Sequence, residues 1–517
     1  MKRNVILLLT LSFVAALATA RWCMSSGIGV SPDSVLYLSA AESVRAGHGL
    51  RPIAFHYTPR IAAGSPLTIF PPTYPLLLAL TGSLISNQLD AAKWLHSILF
   101  ASSVLLIGMT AYLSTGKSAL ATLSAMLLFQ STPSMLEIQT MAWSEPPFIL
   151  FSLAAFLLLG LQITKPNYLL LAGSALSASL ALTTRYVGVT LLPPMIITIL
   201  FLENRPRRRR IWDCVIVLAI ATLPLAAWLI RNILTTDSAT NRSIGFHPVG
   251  ISDIHDLVGA LLVFWVPFLD SQYLKMVLFI IFAVVTGSGL VLALKKSTAD
   301  VESARMNTST QMLSAVFIIT FLVFLIANNS LVNPPVELSN RVVSPVYVFG
   351  IILIVSIVYG LSNLWNRKTL QWGVLLLLFI PIGVNSVYAF SFAIRRHDDG
   401  SGYTSRWWTD SQSIAYIRTL PEAKTIYSNG IDAIYLLTKR ETVRIPAKVD
   451  RVSGKNNPDF ERDIDALRND LVQNRAIVVY LDKIGWRWYL PSKEELEKVF
   501  RFPVLVRFDD GVVYGIR

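Results

Sequence analysis

The sequence is poor in the residues that staple or catalyse in small soluble domains. Cysteine occurs twice, at Cys23 and Cys214, which excludes a disulfide framework and a thiolate metal site. The histidines form no metal constellation. His48 and His56 share one segment and His247 and His255 another, but neither pair has the i, i+4 spacing that puts two ligands on one helix face. No phosphate-binding P-loop and no Gly-rich dinucleotide fingerprint occurs. Internal repeats and low-complexity tracts are absent too. Charged residues are 15% of the 517-residue chain, against about 25% in soluble proteins, which excludes a soluble globular enzyme for most of the length. What is abundant is apolar: 53% of residues are hydrophobic and the mean hydropathy is +0.54.

The apolar residues fall in runs near the length a bilayer core requires, about 20 residues of helix. After Met1-Lys2-Arg3 a first run reaches Ala18-Thr19-Ala20. That is also how a cleavable signal peptide reads, but the many later runs favour a retained first helix. Further runs lie near 72–86, 91–114, 118–132, 145–163, 168–184, 186–203, 211–231, 273–294, 312–328, 342–363 and 370–390. The net charge is +13, and its placement decides its meaning. Arg205, Arg207 to Arg210, Lys295-Lys296 and Arg367-Lys368 sit in short gaps between runs. Short basic loops beside spans mark the cytoplasmic side of a membrane, which is favoured here over a lipid-phosphate or nucleic-acid patch. Loops at 232–270 and 329–341, and everything after 391, are then expected outside.

A cytoplasmic start and an external end require an odd number of crossings, whereas twelve runs are counted. The discrepancy falls in 72–145, where runs are short and one is expected to be broken, re-entrant or merged, so eleven to thirteen spans are expected. The tail, 395–517, turns charged and alternates helical with β-rich patterns: helices at 409–419, 432–438 and 459–473, strands at 424–428, 442–445, 476–481, 503–507 and 511–516. The expected architecture is an α-helical polytopic membrane domain, 1–394, with a long external loop at 21–70, followed by a small extracytoplasmic α/β domain.

The candidate chemistry lies at the ends of the runs. In Ser31-Pro32-Asp33-Ser34, Asp33 stands where helical periodicity begins, so it reads either as an N-cap or as a carboxylate offered at the membrane surface as a base. Phe70-Pro71-Pro72-Thr73-Tyr74-Pro75 fixes an extended approach to the next run, a rigid turn or one wall of a substrate groove. Glu145, in Trp143-Ser144-Glu145-Pro146-Pro147, opens another run. An ionisable group at membrane depth marks function, although a run-end Glu can also simply face water. Arg185, after Thr183-Thr184, and Arg341, in Ser339-Asn340-Arg341, are arginines on the external side. Arg185, against the positive-inside preference, suits a phosphate through its planar donors, and Arg341 reads either as a snorkelling side chain or as a phosphate contact. Pro345 is placed in the first turn of the Arg341 run, where proline is tolerated.

The ordered set Asp33 with Tyr37, Ala41, Gly47 and Gly49, then Pro71 to Pro75, Ser144-Glu145, Thr184-Arg185 and Asn340-Arg341 with Pro345, over roughly 1–390, resembles the GT-C superfamily of membrane glycosyltransferases. Within it the set is most similar to the protein-mannosyltransferase and aminoarabinose-transferase branch. The resemblance implies a sugar on a polyprenyl phosphate as donor. A lipid, glycan or protein would be the acceptor, membrane lipids would surround the chain, and nucleic acid would have no part. It implies inverting transfer of a hexosyl or pentosyl group at the plasma (inner) membrane. Asp33 matches the catalytic acid of the first external loop and Glu145 a second acid in the same cavity. Arg185, Arg341, Tyr37, Tyr74, His56 and Glu337 are the expected substrate-binding residues. No metal ligand set is expected, and a divalent cation has no support in the residues. Asp33 is followed by Ser34 where one branch of the family carries a paired Asp-Glu. A transporter or flippase, and an envelope scaffold using the tail as a binding module, are the readings from other classes. A transporter built on repeats would show two related halves, and the long first loop and folded tail have no counterpart elsewhere in the chain.

Overall fold

The computed structural model describes residues 3–516 except 53–54, 57–64, 297–301, 363–372, 374–375, 377, 422 and 451–453. Its membrane part begins with α1 (Arg3–Cys23), α2 (Pro32–Arg45), β1 (Phe55–His56), α3 (Thr73–Leu84), α4 (Gln88–Ser114), α5 (Ala119–Gln130), α6 (Pro133–Thr140) and α7 (Glu145–Thr164). It continues with α8 (Tyr168–Leu182), a 3-10 turn (Tyr186–Leu191) leading into α9 (Leu192–Leu202), and α10 (Arg207–Thr236). Then follow β2 (Ser243–Ile244), α11 (Ile251–Leu262), α12 (Gln272–Lys296), α13 (Glu302–Leu331), β3 (Val332–Asn333), α14 (Asn340–Ser362) and α15 (Phe379–Asp399).

Seven of these helices, α1, α4, α7, α10, α12, α13 and α14, are long and apolar enough to cross a membrane. Helices α5 and α6 meet at 66° and together are long and apolar enough for a broken span or a re-entrant loop. The break falls at Thr132-Pro133, where proline cannot donate into the preceding turn and the Thr132 hydroxyl instead bonds Tyr347 Oη (2.8 Å). Helices α3 and α8, and the turn with α9, are shorter apolar segments. One face holds Thr183, bonded to Thr73, Tyr186, bonded to the Thr68 carbonyl, and His397, stacked on Trp22. The opposite face holds the arginines after α9, with Arg205 over the Tyr168 ring that opens α8.

Helix α3 does not cross, which corrects the span expected at 72–86. Thr73 bonds Thr183 at its start, and just past its end Gln88 accepts from Arg45 (2.9 Å). Helix α4 sets out from that same face, where Lys93 Nζ reaches the Ser25 carbonyl and Arg21 covers the Trp94 ring. Twelve residues rise only about 18 Å, short of the roughly 30 Å apolar core. Among the described residues seven helices are thus candidate spans, or eight if the bent pair is one span.

Helix α14 departs from expectation at Pro345, which lies in its second turn rather than its first. The carbonyl that loses its helical partner there belongs to Arg341, and Ser344 Oγ donates to it instead (2.8 Å). The helix continues past the proline, and its interior buries Tyr347, Val348, Phe349 and Ile351.

Beyond Asp399 the chain forms α16 (Arg406–Thr409), α17 (Gln412–Thr419), β4 (Thr425–Ser428), α18 (Ile431–Thr438), β5 (Thr442–Arg444), α19 (Phe460–Val472), β6 (Ala476–Leu481), β7 (Val504–Phe508) and β8 (Gly511–Tyr514). The sheet order is β1-β5-β4-β6-β8-β7. Strands β1, β5, β4 and β6 are parallel, and β8 and β7 close the far side antiparallel. A strand covered on both faces reads as an unbroken apolar run, and the central β6, Ala-Ile-Val-Val-Tyr-Leu, does. The edge strand β1 comes from the first external loop, with Phe55 opposite Thr442 and His56 opposite Val443. The α/β domain is therefore completed by a segment nearly four hundred residues upstream.

Candidate active site

Four charged side chains from four distant segments meet on the face that carries the α/β domain. Arg341 is their centre. Its Nε donates to Glu145 Oε1 (2.7 Å) and its Nη1 to Asp33 Oδ2 (2.8 Å). Its guanidinium lies over the Trp143 ring, 4.4 Å from the centroid, a favourable cation–π position. Arg185 pairs with the same Glu145 oxygen, and its Nη1 donates to Ser144 Oγ (2.9 Å). Along the chain of contacts Asp33, Arg341, Glu145, Arg185 the charges alternate in sign and cancel.

Local sequence sets each position. Pro146 and Pro147 lie in the first turn of α7, where an absent N–H costs nothing, so Glu145 opens that helix at the positive end of its dipole. Asp33 is in the first turn of α2 but is not its cap. Ser31 occupies the cap position: its backbone N–H donates to Ser34 Oγ (3.1 Å), and its own hydroxyl accepts from Trp143 Nε1 (2.8 Å). The Asp33 carboxylate is thereby free of the capping role and turned to Arg341.

The two acids differ in exposure. Glu145 is 1% exposed, held by two arginines, and its Oε2 lacks a hydrogen-bond partner. The Asp33 side chain is 38% exposed and has one arginine. A buried carboxylate survives only when paired, which makes Glu145 a fixed anchor for both guanidiniums. Asp33 is the acid that an arriving molecule can touch.

Aromatic side chains floor the cluster. Tyr37 Oη donates to Ser144 Oγ (3.2 Å), and its ring packs on Phe70 (4.5 Å) and edge-on to Tyr74 (4.9 Å). Burial pushes the Tyr37 phenol well above its usual range, so it stays a neutral donor. Tyr74 does not reach the ion cluster. It is fully buried and bonds His96 Nε2 (2.7 Å), whose Nδ1 faces the Gln139 carbonyl (3.2 Å). A carbonyl can only accept, so Nδ1 carries the proton and Tyr74 is the donor to Nε2.

The structure thus brings together Asp33, Glu145, Arg185, Arg341 and Tyr37, with Tyr74 one layer behind. Glu337 is exposed and takes no part in the ion cluster among the described contacts. The backbone of His56 lies in β1, but its side chain falls outside the described residues. Trp143, Ser31 and His96 were not singled out by sequence reasoning. Trp143 stands two residues from Glu145 and was open to being read as a partner for an arginine. A lone histidine in an apolar run gives no such signal.

Residues 70–230 match the sequence-family model of dolichyl-phosphate-mannose-protein mannosyltransferase. No curated protein matches the chain by sequence. By structure the chain is similar to ArnT from Cupriavidus metallidurans, solved bound to undecaprenyl phosphate, with a TM-score of 0.59 at 12% identity over 99% of this chain and 98% of that one. It is similar to the oligosaccharyltransferase AglB from Archaeoglobus fulgidus, solved with an inhibitory peptide and a dolichol-phosphate, at TM-score 0.54 and 12% identity over 92% of this chain and 69% of that one. It is also similar to the arabinofuranosyltransferase AftD from Mycobacteria, at TM-score 0.55 and 11% identity over 100% of this chain and 40% of that one.

Proposed function

We propose, from the premise that this multi-span membrane chain has the GT-C fold of the protein-mannosyltransferase and ArnT type, that it transfers a sugar from a polyprenyl-phosphate donor to an acceptor at the Asp33 face. The observation that carries the proposal is the pairing of one accessible carboxylate, Asp33, with two arginines that a buried glutamate holds in place.

In the proposed reaction Asp33 takes the proton from an acceptor hydroxyl. That oxygen attacks the anomeric carbon from the side opposite the phosphate, the bond from carbon to phosphate oxygen breaks, and the configuration inverts. The polyprenyl phosphate leaves with the electron pair. General-base catalysis contributes about 10²–10⁴-fold. Arg341 and Arg185 stand where negative charge develops on the leaving phosphate, and donors fixed in advance need no reorganisation as that charge appears. Glu145 keeps the two guanidiniums together against their mutual repulsion, and its burial argues against a second base. The donor arrives from the bilayer, so no nucleotide site is needed. We place the Asp33 face and the α/β domain outside the cytoplasm, because Arg205 and Arg207 to Arg210 lie on the opposite face.

The test is transfer of label from a panel of radiolabelled polyprenyl-phosphate hexoses and pentoses in membranes containing the protein, with the anomeric configuration of the product determined. An inverted product from one donor supports the reading. Retention of configuration, or passage of the intact lipid between leaflets without transfer, overturns it.

A further inference from the structure

The α/β domain touches the segment that carries Asp33 at three places, and together they span the whole of α2. The first lies just before the helix. Gly29 and Val30 run between two other segments: Gly29 accepts from Ala142 (2.8 Å), and Val30 accepts from the Tyr403 N–H (2.8 Å). Residues 140–142, 28–30 and 401–403 thus form a narrow ribbon, with parallel bridges Gly29–Met141 and Val30–Gly402. Glu145 hangs from one edge of the ribbon, Asp33 from its middle and the α/β domain from the other edge. The approach at Gly402 is so close that a Cβ there would overlap the Val30 carbonyl, and Gly402 has φ +57°.

The second place is deep in the domain. Tyr403 Oη donates to Asp432 Oδ2 (2.9 Å) in the first turn of α18. Arg487 Nη2 donates to both oxygens of Asp432 (2.7 and 2.8 Å), and its Nη1 donates to the Asn429 carbonyl (2.7 Å). All three side chains are buried. The third place is the far end of α2, where Glu42 accepts from Lys439 Nζ (2.8 Å) and Tyr435 Oη (3.3 Å) at the end of α18. Helix α18 therefore lies alongside α2 as a strut, tied at one end to Val30 through Asp432 and Tyr403 and at the other to Glu42. Strand β1 fastens the chain beyond α2 to β5.

We propose that the α/β domain is the positioning device for the Asp33 helix, with Tyr403, Asp432, Arg487, Glu42, Tyr435 and Lys439 as positioning residues. The assignment of a catalytic role to Asp33 rests on the proposed function, whereas the holding of α2 does not. The circuit Val30, Tyr403, Asp432, α18, Glu42, α2 and back to Val30 closes on itself, so neither end of α2 shifts without breaking a contact at the other. A base must sit within hydrogen-bond reach of the proton it takes, and a displacement of about 1 Å costs on the order of 10²-fold in rate. An accessible carboxylate with a single arginine partner gains the most from such a frame. The arginines, half-buried and both held by the buried Glu145, need it least.

The test uses the full-length protein and the double variant Tyr403→Phe/Glu42→Met. It keeps the Tyr403 ring on Trp408 and removes only the two ties. The control is Lys439→Arg, which keeps the charge on Glu42. Amide hydrogen exchange of residues 32–45 and transfer kinetics are read on the same preparations. The proposal expects exchange in 32–45 to rise by about tenfold or more while the spanning helices stay protected. It expects kcat to fall by about tenfold with donor KM little changed, as misplacement of a base without loss of binding requires. Lys439→Arg should restrict both effects. Unchanged exchange in 32–45 overturns the proposal, as does a loss of transfer that only follows the fraction of folded protein. If no donor is used even by the unaltered protein, the proposed function fails, and the exchange result still decides whether the domain holds α2.

Discussion

Buried arginine–carboxylate clusters occur on both faces of the membrane domain, and they differ in balance. On the Asp33 face two acids meet two arginines, and one acid opens to the surface. On the opposite face two buried acids share one arginine: Arg205 reaches Asp213 Oδ2 (3.0 Å) and Glu203 Oε1 (3.4 Å), with Gln162 Nε2 also on Glu203 (3.2 Å). Burial, and then the neighbouring Asp213, raise the Glu203 carboxyl to about 7. The deficit of positive charge there is met by a proton, and the cluster is closed, tying together the ends of α7, α9 and α10. The Asp33 cluster needs no proton to balance its charges. It presents guanidiniums that a second anion can share, beside an acid that is accessible. Similar residues thus make a closed tie on one face and, in the proposed function, a reactive arrangement on the other, and the difference lies in the ratio of charges and in exposure.

Removing the centre of the balanced cluster should have the largest effect. Arg341→Gln leaves Glu145 with one arginine and Asp33 with none. It should abolish detectable transfer and cost about 1–3 kcal/mol of stability, because Glu145 keeps Arg185 and the Asp33 side chain is 38% exposed. Thermal unfolding in detergent and transfer assays on one preparation check both. Arg341→Lys should restore much of the stability but little of the transfer, because one ammonium cannot serve Asp33 and Glu145 with the fork a guanidinium provides.

Glu145→Gln should act next. It removes the anchor between two guanidiniums, so they repel, and transfer should fall about 10²-fold through kcat. If Glu145 were instead an accessible base, its loss would equal that of Asp33, and the contrast drawn from exposure would be wrong.

The unbalanced cluster should respond to pH and leave transfer chemistry alone. A carboxyl raised to about 7 in the fold but ordinary when unfolded holds its proton preferentially in the folded state. Folding stability should therefore fall as pH rises from about 4.5 through 7, and level off above that. Glu203→Gln should flatten this slope and raise the melting temperature at pH 8. A slope that Glu203→Gln leaves unchanged would place the titration elsewhere. The smallest effect is expected of Tyr74→Phe, which strands His96 Nε2: about 1–3 kcal/mol of stability, with transfer altered only a few-fold.

Much of this was legible in the sequence wherever a local period carries the information. The β6 run and the α19 pattern specify their elements to within a residue or so, since a strand or helix writes its burial into its own spacing. Helix α3 was not legible: its apolar run resembles a short span, and only the contacts of Thr73 and Gln88 show that both ends stay on one face. Pro345 was placed in the first turn with the run starting at Arg341, whereas α14 starts one residue earlier at Asn340 and Pro345 is its sixth residue. The meeting of Asp33 with Arg341 spans 308 residues, and no spacing rule reaches that far. What the sequence did carry was the list of charged residues at run ends, where ionisable groups are costly to keep. Strand β1 joining a sheet built almost wholly from the tail gave no such signal.

The measurement that tests the account most directly is transfer of radiolabelled sugar from a polyprenyl phosphate in membranes holding the unaltered protein or Asp33→Asn at matched expression. The account predicts label in an acceptor with the unaltered protein and a loss of about 10²–10⁴-fold with Asp33→Asn, as expected when a general base is removed. Equal transfer by both would contradict it, since the accessible acid of the balanced cluster would then have no part in the reaction.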